Sequence, residues 1–264
     1  MTALALPISR LVGADLLKLR RSISLNVVTA FLTIGAIVIT ITIMELLHLA
    51  NPDAHGPVGG IRDLGHFAAL VGLLGAVAAA IVGARVGAGD MDAGAYRDLV
   101  VTGRSRLSLY LSRFAGGAAF LLPFVAVAYT IAAASSVALA GSNTAPDTRL
   151  LALTGLWAVL DVMFFFVLAV AISVAFGTGS YAIGVLLALR LAVMPIVVSI
   201  SALGIVRELM PVAAIESITP AAFGEAARMG PHIPMSTGAV AAVLVAWATL
   251  AVAFAGWRDV TRDA

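Results

Sequence analysis

Asp161 and Arg190 stand deep inside two long apolar runs that are separated only by Gly177-Thr178-Gly179-Ser180. An ionised group in hydrocarbon is costly, so such residues pair with an opposite charge or face a polar cavity. The tight break makes the two runs antiparallel neighbours. Counted from the break at about 1.5 Å per residue, Asp161 lies about 22 Å above Phe176 and Arg190 about 14 Å above Tyr181. A long arginine side chain largely closes the offset of roughly 9 Å. At this level a structural ion pair, a place in a transport pathway and separate solvation all stay open.

A second concentration of chemistry lies between the apolar runs Gly65–Ala84 and Phe114–Ala140. It is a charged island with Arg85, Asp92, Arg97, Arg104, Arg106 and Arg113, patterned like a short capped helix. A bare tether would not need that pattern. A soluble partner pushing on the protein from the cytoplasm would.

Enzyme motifs are missing. No GxxxxGK[ST] phosphate loop, HExxH, GxSxG or paired carboxylate at helical spacing is present. His48 and His55 flank Asp53 and His66 follows, but solvated loop histidines account for this pattern and no metal site is expected. Without cysteine there are no disulfides, thiolate ligands, cysteine nucleophiles or cysteine lipidation.

The elements that must position these residues are set by composition. Of 264 residues, 61% are hydrophobic and only 11% charged, and the mean hydropathy is +1.07. Soluble domains carry about 25% charged residues. The expected fold class is therefore all-α: a polytopic membrane protein forming one transmembrane domain over 1–264. The pI of about 9.4 reflects arginines at membrane edges, and no basic groove with interleaved aromatics suggests nucleic acid. Lys18 is the only lysine among sixteen basic residues, and the Arg, Ala, Gly and Val bias resembles that of a GC-rich bacterial gene.

Six runs reach the roughly 20 residues a span requires: Ile23–Leu47, Gly65–Ala84, Phe114–Ala140, Leu150–Phe176, Tyr181–Leu203 and Ser236–Trp257. Each must be a helix, because lipid offers the backbone no hydrogen-bond partners. The first run is too long for a signal peptide and reads as a retained span. Before it, 6–21 is amphipathic, with Ile8, Leu11, Val12, Leu16 and Leu19 on one face, as in an interfacial helix. In the second span Gly75, Ala79, Gly83 and Gly87 recur every fourth position, a helix-packing face within the subunit or across a dimer. Pro211, Pro220, Pro231 and Pro234 punctuate 204–235. Its short apolar pieces, Val212–Ile215 and Ala221–Ala227, predict small helices dipping into or capping the outer leaflet.

Arginine and lysine placement orients the chain. With both termini inside, eleven basic residues are cytoplasmic, four (Arg62, Arg149, Arg207 and Arg228) are outside, and Arg190 lies within a span.

With these features in place, the chain resembles the type-2 ABC transporter permeases. After their second span they carry an intracellular coupling helix with an acidic-x-Gly opening, an apolar pair, a Ser-Arg, and a basic residue at the next span. Asp92 and Gly94 match the opening, Leu99 and Val100 the pair, Ser105 and Arg106 the Ser-Arg, and Arg113 the terminal base. Asp stands for the usual Glu, Gly103 for the usual Pro, and Arg113 for the usual Lys. Pro211, Pro220 and Phe223 are similar to the family's outer re-entrant hairpin before the last span. The resemblance implies an exporter subunit of the bacterial cytoplasmic membrane, working as a dimer of permeases with cytoplasmic ATPase subunits. Asp92, Gly94, Tyr96, Arg97, Leu99, Ser105 and Arg106 would form the ATPase-coupling interface, with Gly94 permitting close helix approach. The chain itself would hold no cofactor and no catalytic residue; ATP and Mg would sit on the partner ATPase. A non-ABC membrane sensor or assembly factor is the alternative.

Overall fold

A computed structural model describes residues 8–95, 98, 101, 105–220, 223 and 231–261. Among them there is no strand, and six helices are long and apolar enough to cross a membrane. Helix α1 (Ile8–Arg21) precedes them. The six are α2 (Ile23–Ala50), α3 (Ile61–Asp92), α4 (Arg106–Ala138), α5 (Thr148–Phe176), α6 (Gly179–Ser199) and α9 (Thr237–Thr261), with short helices α7 (Ile205–Glu208) and α8 (Pro211–Ser217) before the last.

Helices α3 and α5 form the centre, each two-thirds buried over its apolar stretch, whereas α2 and α9 are mostly uncovered. The centre is built on small residues. A Cβ placed at Gly75 would stand 2.6 Å from Val162 Cγ2, one at Gly83 2.5 Å from Ala169 Cβ, and one at Gly87 would collide with Ser173 Oγ. Ala79, on the same face, is fully buried. The register climbs on both helices together, so α3 and α5 run parallel. The small-residue face lies within the subunit, which lets two backbones meet where larger side chains would hold them apart.

Where hydropathy fades, caps fix the helix ends. α3 continues eight residues past Ala84 and α4 begins eight before Phe114, so Arg85 and Arg113 lie inside long helices rather than in the connecting island. At 32 residues α3 is about 48 Å long, well beyond a hydrocarbon core of about 30 Å. It stops at Gly94, whose φ of +70° only glycine adopts readily. There the N–H of Ala95 donates to Asp90 O and that of Gly94 to Met91 O, the double bond of a Schellman ending. Ser105 starts α4, its hydroxyl accepting from the N–H of Ser108. Likewise Asp147 accepts from the N–H of Leu150 at the start of α5.

The turn Gly177–Thr178 joins α5 to α6. α6 closes at Ser199, four residues before the expected Leu203, because Ile200 is extended. Wider π-type turns interrupt α2 at Phe31–Gly35 and α6 at Leu189–Val193. Such turns recur at functional positions.

The stretch before α9 is packed as protein, not as a loop. α8, whose first residue is Pro211, is buried from Pro211 to Glu216. Two tryptophans satisfy backbone carbonyls here: Trp157 Nε1 donates to Ile215 O in α8 at 3.0 Å, and Trp247 Nε1 donates to Leu209 O at the end of α7 at 2.9 Å. Irregular backbone at membrane depth needs such partners. Pro220 is partly buried, and Phe223 packs on Leu64 and over Gly65. The expected helix Ala221–Ala227 lies, apart from Phe223, outside the described residues.

Candidate functional site

Two polar constellations interrupt the apolar bundle. Inside it, Arg190 Nη2 donates to Asp161 Oδ2 at 2.9 Å, so the two intramembrane charges are brought together. Both are buried. The Phe165 ring lies one turn from Asp161 with its centroid 4.5 Å from the guanidinium carbon, a cation–π arrangement. Among the described residues Asp161 Oδ1 and Arg190 Nε have no hydrogen-bond partner, so the bond between the two side chains is single-pronged. It fits because α3 is bare at this level: a Cβ at Gly72 would stand 2.5 Å from Asp161 Oδ2. The pair therefore clamps α6 to α5 against α3. Of the three readings open in the sequence, direct pairing is the arrangement observed. Gly72 precedes the Gly75–Gly87 series by three residues, and that spacing was the signal that could have included it.

The second constellation gathers at the end of the bundle that holds α1, the α3–α4 connection and the end of α9. α1 lies along α4, its apolar Leu11 and Leu19 buried, and the two backbones approach at Gly116, where a Cβ would stand 2.7 Å from Asp15 Cβ. Ser112 Oγ donates to Asp15 Oδ2 at 2.8 Å. Burial pushes the Asp15 carboxyl above its usual pKa, against the lowering effect of that hydrogen bond. Lys18 bonds Asp90 near the end of α3. Asp92 Oδ2 accepts from the N–H of Gly179 at 3.2 Å, which ties the last turn of α3 to the first of α6. Arg106 Nη1 reaches the carbonyls of Asp259 and Val260 at 3.2 and 3.3 Å, and Arg113 Nη1 lies 3.9 Å from Asp259 Oδ1, with both side chains of that pair buried. Tyr110 Oη donates to Val252 O at 2.8 Å.

Asp92, Gly94, Ser105 and Arg106 thus frame the α3–α4 connection, two at each side. Each has an internal task. Gly94 ends α3, and a Cβ placed on it would meet no described residue within 4 Å. Tyr96, Arg97 and Leu99 lie outside the described residues. Sequence reading missed Asp15, Lys18, Asp90 and Asp259, whose significance comes from long-range partners that no local pattern reveals.

No protein-family model matches this chain, and no curated protein matches it.

Proposed function

We propose that this chain is the membrane-spanning permease subunit of an ATP-driven exporter of the type-2 ABC kind. Two such subunits would form the substrate path, and separate cytoplasmic ATPase subunits holding ATP and Mg would drive them. The carrying observation is the rooting of the α3–α4 connection. Its two flanks are tied to α1 by Lys18–Asp90, to α6 by Asp92–Gly179 and to α9 by Arg106 and Arg113.

A segment anchored in this way works as a lever. Thrust at 93–105 passes into helices at both edges of the bundle and through α3 into its centre. Closure of an ATPase pair beneath it would then move packed helices as rigid bodies between two arrangements. The concentration of basic residues at this end supports an orientation with this end and both termini in the cytoplasm, as in a subunit of the bacterial cytoplasmic membrane. The match of Asp92, Gly94, Ser105, Arg106 and Arg113 to the coupling segment of the permeases supports the same reading, as does the proline-punctuated packing around Pro211, Pro220 and Phe223. The Asp161–Arg190 pair serves to hold the moving helices in register.

The test is copurification. The tagged chain, extracted from its native membrane in mild detergent, should bring down a polypeptide with a phosphate-loop ATPase motif, in equal stoichiometry. Recovery of the chain without any such ATPase would refute the proposal and favour a sensor or assembly factor.

A further inference from the structure

The end of the bundle opposite the rooted connection holds a cleft of about 760 Å³, within the usual range for a small-molecule site. Its wall is fixed in place. Gly59 and Gly60, at φ +153° and +90°, press onto the α4–α5 connection so closely that a Cβ at either would stand under 3 Å from Leu139 or Asn143. Asn143 Nδ2 donates to the carbonyls of Pro57 and Gly59, both at 2.9 Å, and the N–H groups of Gly60 and Ile61 donate to Ser136 O and Thr144 O. This segment is therefore a braced rim, not a free loop.

The lining is divided by polarity. Met44 and Leu47 from α2 give an apolar side. Arg62, His55 and His66 give a cationic or proton-donating side, and Asp63 is the one carboxylate among the lining residues. Asp63 is already engaged: Oδ2 accepts from the N–H of Gly59 at 2.9 Å and Oδ1 lies 3.5 Å from His66 Nδ1. Arg62 is exposed and makes no hydrogen bond or ion pair with any described residue. The uncommitted charge of the cleft is therefore positive. Among the described residues no three His, Asp or Glu side chains converge as a cation site would require.

We propose that this cleft binds an amphiphile by its anionic headgroup. A phosphate or carboxylate is held by Arg62 with the imidazoles of His55 and His66 beside it, and the apolar chain lies along Met44 and Leu47. Arginine suits such groups because its planar fork bonds two oxygens at once. The site needs no ATPase, so its test is independent of the preceding proposal.

The chain has no cysteine, so one introduced at the exposed Thr144 can carry a single environment-sensitive fluorophore at the rim. The full chain in maltoside micelles is titrated with dodecyl phosphate, dodecyl phosphocholine and inorganic phosphate. Dodecyl phosphate should bind about tenfold more tightly than the phosphocholine, as expected for one charge-assisted contact. Arg62→Gln should abolish that preference while melting like the parent, Arg62→Lys should keep part of it, and Arg149→Gln should leave it unchanged. Inorganic phosphate should be a weak competitor. Equal binding of phosphate and phosphocholine amphiphiles, or an unchanged preference in Arg62→Gln, would overturn the site. Inorganic phosphate binding as tightly as dodecyl phosphate would overturn the amphiphile.

Discussion

Gly72 and Asp161 touch so closely that a methyl group on Gly72 would stand 2.5 Å from Asp161 Oδ2, the same oxygen that Arg190 holds at 2.9 Å. A bare helix surface, a carboxylate and a guanidinium form one unit at the centre of the membrane domain. Removing either charge strands the other away from water, which costs about 3–5 kcal/mol, whereas removing both need not. Asp161→Asn and Arg190→Gln should each lower the melting temperature in detergent, and the double variant should regain much of the loss. Two small additive losses would show that the charges do not depend on one another.

The parallel contact of α3 with α5 gives a prediction with an internal control. Gly83→Ala places a methyl 2.5 Å from Ala169 Cβ and should cost about 1–3 kcal/mol as the helices part. Gly184, inside α6, would bring a Cβ within 4 Å of no described residue. There the same substitution should stabilise by about 0.5–1 kcal/mol through helix propensity alone. Thermal unfolding of the two variants side by side checks the packing.

Asp15 supplies a pH signature. Its carboxyl pKa is raised by burial, so the folded state prefers the protonated form more than the unfolded chain does. That contribution is fully present below the unfolded value near 3.8 and is lost as pH rises through the higher folded value. Asp15→Asn should therefore be more stable than the parent at neutral pH, and the gap should close on acidification. A gap that widens toward acid would reverse the sign.

Orientation is accessible through the absence of cysteine. Single cysteines at Ser142 and Ser217 should react with an impermeant thiol reagent added outside intact cells, and one at Ser105 should not. Outside labelling of Ser105 would place the rooted connection on the wrong side for any cytoplasmic partner.

The sequence made the spans legible because apolar length is what a bilayer demands, and a tight turn brought Asp161 and Arg190 within reach by counting while leaving pairing, a transport path and separate solvation open. Helix ends were less legible. Arg85–Asp92 and Arg106–Arg113 are polar enough to read as connection, yet the Gly94 ending and the Ser105 cap carry both helices through them. The small-residue series announced close packing but not its partner, since every span here is rich in Ala and Gly. The tryptophan bonds to Ile215 O and Leu209 O were invisible, because their acceptors are backbone groups with no sequence signal.

The proposal turns on whether the 93–105 connection receives force from an ATPase, a contact to which the resemblance assigns Leu99. Leu99→Asp would put a charge into that proposed contact. The variant should melt like the parent, lose the copurifying ATPase and lose ATP-driven export. A Leu99→Asp protein that assembles with the ATPase and exports at the parental rate would contradict the account.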